Sequence, residues 1–242
     1  MHKKMEQWNS YRLLALQFQA RRQRSRLMNG RIIFYIALAF FSILYVILSP
    51  QPPFPGKLIL KAVPIWMIAA HVFLSLKDRK GRLLFVGVLF GSAGDVVLST
   101  DYPLSFVIGL GLFLVGHIFY ILSFAHQWEF KAWKIAPAAA VLALSTSLSI
   151  ALTPYLNGLT IPVYAYVFVI SLMVVFAIFR NPPSPAVWIG GVLFLLSDAI
   201  IALREFMKME IPYRAILIMS TYYLAQILIG EGSIQDNRTQ KR

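Results

Sequence analysis

Two acidic residues lie inside stretches otherwise apolar enough to cross a membrane, and each follows the same four residues. Asp95 closes Gly87-Val88-Leu89-Phe90-Gly91-Ser92-Ala93-Gly94-Asp95, and Asp198 closes Gly191-Val192-Leu193-Phe194-Leu195-Leu196-Ser197-Asp198. A carboxylate in hydrocarbon costs several kcal/mol, so a chain that keeps two of them is expected to use them. Two carboxyls facing each other in a poorly solvated cavity cannot both ionise cheaply, and one therefore keeps its proton. The pair then offers a general acid beside an ionised carboxylate. That is the equipment for protonating a substrate, stabilising a developing oxocarbenium ion and directing a water molecule. Asp95 and Asp198 are the expected catalytic residues.

Other polar side chains fall within the apolar stretches. Lys61 stands in Lys57-Leu58-Ile59-Leu60-Lys61-Ala62-Val63-Pro64, His117 in Gly116-His117-Ile118-Phe119-Tyr120, and Thr221, Tyr222, Tyr223 and Gln226 in the last apolar run. Each has a plainer alternative. Lys61 and Arg214 could extend to an interface, or Lys61 could serve only as counter-ion to one aspartate. His117 and the tyrosine pair could be hydrogen-bond glue between helices, and Ser92 with its neighbouring glycines could simply permit close packing. No metal-ligand spacing, Ser-His-Asp arrangement or phosphate-binding glycine loop competes with the aspartates, and neither metal nor cofactor is expected. His117, counted from Pro103, lies deeper than the aspartates, which argues against a shared metal.

The elements that must position these groups follow from composition. Of 242 residues, 58% are hydrophobic and 14% charged, with a mean hydropathy of +0.67. So much apolar surface does not fit one soluble core. With no cysteine, disulfides and thiolate chemistry are excluded. Eight segments approach the ~20 residues that a membrane-crossing helix needs: Ile32–Leu48, Leu58–Leu76, Leu83–Leu98, Pro103–Ala125, Ile135–Leu152, Pro162–Phe179, Ala186–Leu203 and Pro212–Gly230. The expected fold is an all-α membrane bundle of about eight transmembrane helices. The repeated Gly-Val-Leu-Phe, four helices apart, suggests two related four-helix halves.

The net charge of +13 fits membrane topology better than nucleic-acid binding. With the N-terminus in the cytoplasm, only Lys57, Arg204 and Lys208 fall on the opposite side, and Lys61 and Arg214 fall within segments. The other cations of the 23 Lys and Arg lie on the cytoplasmic side, so both termini are expected there. Residues 1–31 form a basic cytoplasmic tail that could lie on an anionic leaflet, residues 32–230 the catalytic bundle and residues 231–242 a C-terminal tail. No cleavable signal peptide is evident. Asp95 and Asp198 each follow their cytoplasmic boundary residue, Arg82 and Pro185, by 13 positions. Both therefore sit about 20 Å along helices of the same sense, at one level beyond the midplane.

Four blocks carry a resemblance. Leu89-Phe90-Gly91-Ser92-Ala93-Gly94-Asp95, Gly116-His117-Ile118-Phe119-Tyr120, Leu195-Leu196-Ser197-Asp198, and the run from Arg214 through Thr221-Tyr222-Tyr223-Leu224-Ala225-Gln226 are similar, in order, to those of YhhN-like membrane proteins. That family includes the vertebrate transmembrane lysoplasmalogenases. Lys61-Ala62-Val63-Pro64 resembles a looser form of the family's Lys-x-Leu-Pro. The resemblance covers about Lys61 to Gly230 and leaves out the basic tail. It implies hydrolysis of the vinyl ether bond of lysoplasmalogen to a fatty aldehyde and glycerophosphoethanolamine or glycerophosphocholine. It also implies a lysophospholipid arriving from the bilayer, and no nucleic-acid partner. The candidate substrate-binding residues are Lys61, Ser92, His117, Ser197, Tyr222, Tyr223 and Gln226, with Lys61 set against the substrate phosphate or tuning the aspartates. The likeness of the last helix to vertebrate members implies the endoplasmic reticulum membrane. A proton-coupled lipid or solute transporter using the same aspartates is the alternative.

Overall fold

Hydropathy and breakers place the helices where the chain forms them. The computed structural model describes Gln19 and residues 28–240, so the expected interfacial helix in the basic tail lies outside the described residues. The helices are α1 (Met28–Leu48), α2 (Lys57–Ser75), α3 (Arg79–Leu98), α4 (Ser105–Ala125), α5 (Ile135–Leu152), α6 (Thr160–Ile178), α7 (Pro185–Met207) and α8 (Arg214–Gln240). All eight are long and apolar enough to span a bilayer, and the protein is an integral multi-pass membrane protein with no β-strand among the described residues. Local chemistry sets several ends. Asp78 caps α3 by accepting from the Gly81 N–H at 2.9 Å, and Pro185 opens α7, where a missing N–H is harmless.

The chain divides at Phe41 and Ser42 into two compact units. The first contains, among the described residues, the beginning of α1. Within the second, α2, α3, α4, α6, α7 and α8 each pack on the next and α8 returns to α2, closing a ring, while α5 lies against α6 and α7.

The two tightest seams, α3 with α4 and α7 with α8, are antiparallel and built on glycine. A Cβ on Gly87 would come within 2.5 Å of the Tyr120 ring and 2.9 Å of the Gly116 carbonyl oxygen, and one on Gly190 within 2.9 Å of the Ala225 carbonyl oxygen. Small residues at these points let backbones approach, as association inside a membrane requires.

One boundary differs from expectation. The last helix does not end at Gly230 but runs on to Gln240, and Gly232, Ser233, Ile234, Asp236 and Asn237 are buried. Falling hydropathy after Gly230 signals a tail, but these polar residues are matched by a buried partner. Arg180, in the α6–α7 connection, donates to Ser233 Oγ at 3.0 Å and Gln127 Oε1 at 2.7 Å. It also lies 3.0 Å from Asp236 Oδ2 and stacks on Phe124 at 4.9 Å. Burial draws the Arg180 pKa down to about 10, with the Asp236 charge opposing, so the guanidinium stays charged at neutral pH. Lys134, fully buried, donates to the Arg180 carbonyl at 2.7 Å.

The glycine seam generates a prediction. Gly87→Ala forces α3 from α4 and is expected to cost about 1–3 kcal/mol, typical of overpacking, seen as a lower thermal unfolding midpoint in detergent. Gly111→Ala, with nothing within 4 Å of the new methyl, is expected to leave the midpoint unchanged. Equal midpoints for the two variants would contradict the seam.

Candidate active site

The ring brings both aspartates into one buried polar cluster, each served by a different set of helices. Asp95, 5% exposed on α3, receives a charge from the helix before it. Lys61 Nζ lies 2.9 Å from Asp95 Oδ1, 3.2 Å from Ser99 Oγ and 3.4 Å from the Asp95 carbonyl oxygen. An ammonium has three N–H donors, and these three acceptors take them all. Lys61 therefore turns inward as a counter-ion instead of extending to an interface. Tyr223 holds α2 in place by donating to the Lys61 carbonyl at 2.8 Å, and the Tyr45 ring packs edge-on against Tyr223 at 6.1 Å.

The other oxygen of Asp95, Oδ2, is buried and accepts no hydrogen bond. From α8, Tyr222 lies near enough to feel the Asp95 charge, and no hydrogen bond joins its hydroxyl to Oδ2. Behind it, Gln226 Nε2 is 3.5 Å from the Tyr222 hydroxyl, and Tyr120 donates to Gln226 Oε1 at 2.7 Å. A polar chain thus runs from α4 through α8 to Asp95.

Asp198, on α7, has no lysine or arginine beside it among the described residues. Tyr166 on α6 donates a hydrogen bond to Asp198 Oδ2. His117 on α4 places Nε2 3.1 Å from the Tyr166 hydroxyl and 4.0 Å from Asp198 Oδ2. Helix counting puts His117 deeper than Asp198, yet the two side chains meet. A Cβ leans toward its helix's N-terminus, and α4 and α7 run in opposite senses, so the leans converge. The imidazole is clamped by Phe194, whose ring centroid is 4.7 Å away, and its Nδ1 is buried without a partner. Asp95 is near enough to act electrostatically on Asp198.

The halves therefore serve their aspartates in parallel ways with different chemistry. The helix before each aspartate supplies its first partner, Lys61 from α2 for Asp95 and Tyr166 from α6 for Asp198. The diagonal helix supplies the second, Tyr222 from α8 for Asp95 and His117 from α4 for Asp198. A cleft opens beside Asp198. It encloses about 600 Å³, its opening included, and is lined by α4 to α7 and the end of α3, through Leu98, Phe106, Leu110, Val163, Ala202 and Phe206 among others. Asp198 and Tyr166 are the only polar side chains in that lining.

Seven of the nine sequence-selected residues, Asp95, Asp198, Lys61, His117, Tyr222, Tyr223 and Gln226, belong to this cluster. The two serines do not reach it. Ser92 accepts from Trp66 Nε1 at 2.9 Å, tying α2 to α3, and Ser197 donates to the Ile218 carbonyl at 3.2 Å, tying α7 to α8. Tyr166 escaped sequence reasoning because a tyrosine near a helix start suggests an interfacial ring. Carrying the Gly-Val-Leu-Phe repeat one helix back leads to the right stretch of α6 but to the wrong tyrosine. The spacing from Lys61 to Asp95, applied before Asp198, ends at Tyr164, two residues from Tyr166.

A bundle of apolar helices around two buried carboxyls with unlike partners defines a polytopic membrane protein with a polar centre. The chain belongs to the YhhN family, which it matches over residues 56–233. It is similar to human "Lysoplasmalogenase TMEM86A", 31% identical over 77% of this chain and 81% of that protein. It is also similar to "Lysoplasmalogenase" of Mycobacterium bovis, 31% identical over 71% of this chain and 68% of that one. Mouse "Lysoplasmalogenase TMEM86B" is 29% identical over 81% and 82%. No solved structure matches the chain.

The ion pair can be tested by stability alone. Removing one partner of a buried pair strands the other's charge, at a cost of about 3–5 kcal/mol. Lys61→Met is expected to lower the unfolding midpoint in detergent, and adding Asp95→Asn to that variant is expected to restore most of the loss. A Lys61→Met protein as stable as the parent would show that the pair does not carry Asp95's charge.

Proposed function

We propose that this protein is a lysoplasmalogenase that hydrolyses the vinyl ether bond of 1-alkenyl lysophospholipids, releasing a fatty aldehyde and glycerophosphoethanolamine or glycerophosphocholine. The names of its relatives support the reaction class. The observation that carries the mechanism is that Asp198 is the one carboxyl in the lining of a cleft that is apolar apart from Asp198 and Tyr166. Vinyl ethers hydrolyse by protonation at carbon, and the carbon that takes the proton belongs to the alkenyl chain. A chain lying in the cleft presents that carbon to Asp198.

Asp198, with Tyr166 as its hydrogen-bond partner and no lysine or arginine beside it among the described residues, starts protonated. Asp95, paired with Lys61, starts ionised. The double bond's electron pair takes the Asp198 proton at the second chain carbon, and the ether oxygen's lone pair converts the first into an oxocarbenium carbon. Asp95 stabilises that cation through charge and accepts a proton from the water that attacks it, giving a hemiacetal. In the collapse, Asp95 returns its proton to the departing glycerol oxygen while Asp198 takes the hemiacetal hydroxyl proton. Both carboxyls are then back in their starting states. His117 and Tyr166 orient Asp198, the Tyr120–Gln226–Tyr222 chain orients water at Asp95, and Lys61 acts on Asp95 because its donors are already engaged there. Residence in the endoplasmic reticulum is the finer part of this reading and rests on the likeness of the last helix to the vertebrate members.

Purified protein in detergent is expected to release aldehyde from 1-alkenyl lysophosphoethanolamine without a gradient, and in D2O the aldehyde is expected to carry one deuterium beside the carbonyl. Asp95→Asn and Asp198→Asn should each lower kcat about a hundredfold or more, as loss of a general acid or base does. Near-normal turnover in either variant removes that residue from the mechanism. An inert protein that moves lipid or protons across sealed vesicles would replace the enzyme with a transporter.

A further inference from the structure

Beyond the end of the bundle at which α7 finishes and α8 begins, Arg204, Lys208, Glu210, Ile211, Pro212 and Arg214 line an open cup of about 980 Å³, its mouth included. The cations at this end are few, and those of α2 are committed. Lys57 Nζ donates to the carbonyls of Ser49 and Gln51, and Lys61 serves Asp95. The other three converge on the cup. Lys208 lies 3.9 Å from Glu205, whereas Arg204 and Arg214, half-buried, have no acidic partner among the described residues.

The cup lies beyond the reacting site along α7. Arg204 follows Ser197 by seven residues, about two turns, and so shares the α7 face that Ser197 turns to α8, the helix that Arg214 begins. It stands six residues, or about 9 Å, beyond Asp198, and Arg214 stands eight residues, or about 12 Å, before Tyr222. The Arg204 side chain leans back along α7 toward Asp198. In a glycerophospholipid, five single bonds separate the ether oxygen at the first glycerol carbon from phosphorus, or about 6 Å when extended. A vinyl ether held between Asp95 and Asp198 therefore puts its phosphate within reach of a guanidinium rooted about 9 Å away.

We propose that this cup is the headgroup site, with Arg204 and Arg214 binding the phosphodiester and Glu210 the ammonium of a zwitterionic lysophospholipid. A guanidinium fork suits phosphate oxygens, and a lone carboxylate among the cations gives the amine a partner. The assignment rests on the vinyl ether reading above and moves phosphate recognition from Lys61 to the α7–α8 connection.

The test uses two substrates with the same alkenyl chain, 1-alkenyl lysophosphoethanolamine and 1-alkenylglycerol, which has no phosphate. Arg204→Ala and Arg214→Ala are each expected to raise KM for the phospholipid about tenfold with kcat unchanged, the mark of lost uniform binding. Both are expected to leave 1-alkenylglycerol kinetics unchanged, which also reports intact folding. Glu210→Gln is expected to raise KM for the ethanolamine lipid but not for 1-alkenyl lysophosphatidic acid, which lacks the amine. An equal effect on both chain-matched substrates, or none on either, overturns the headgroup site. Binding of the saturated ether analogue of lysophosphoethanolamine separates this assignment from the activity. Loss of binding in the arginine variants alongside an inert parent protein would uphold the cup and overturn the hydrolysis, and unchanged binding would overturn the cup whatever the turnover.

Discussion

The ion pair between Lys61 and Asp95 is the constraint on which the rest of the centre depends. A low-dielectric bundle makes an isolated carboxylate untenable, and a buried pair persists only where further hydrogen bonds satisfy it. Here Ser99 and the Asp95 carbonyl complete the ammonium's coordination, and Tyr223 fixes the backbone that carries it. There is one such cation for two carboxyls. The aspartate that has it can remain charged, and the other must find another way to be buried.

That inequality sits on a closed ring of helices, in which each aspartate draws one partner from the helix before it and one from across the ring. With Lys61 beside one carboxyl and the neutral Tyr166 beside the other, two similar positions have unequal surroundings. The cleft breaks the symmetry in the same direction, because it opens beside the uncharged partner set and gives an apolar chain a place to lie. Glycine seams at Gly87 and Gly190 keep the helix pairs close enough for these distances to hold.

Much of this was legible in the sequence, because membrane burial makes polarity expensive. Eight apolar runs, their breakers and the cost of a buried carboxylate led directly to the helices and to Asp95 and Asp198. Depth counting put both at one level, and polarity within apolar runs added Lys61, His117, Tyr222, Tyr223 and Gln226. What escaped was pairing, which periodicity does not encode. Lys61 as counter-ion and Lys61 as phosphate ligand look the same in one dimension. Ser92 and Ser197 stood next to the aspartates in sequence but point into helix seams. Tyr166 and the buried end of α8 were hidden for the same reason, since each looks interfacial or solvated until its partner, Asp198 or Arg180, is seen beside it.

The central claim, that one cation makes the two carboxyls unequal, is tested most directly by infrared difference spectroscopy of the protein in lipid nanodiscs at neutral pH. The parent protein is expected to show the carbonyl stretch of a protonated carboxyl that vanishes in Asp198→Asn and persists in Asp95→Asn. Loss of that band in Asp95→Asn with its retention in Asp198→Asn would contradict the assignment, and so would its absence from the parent protein.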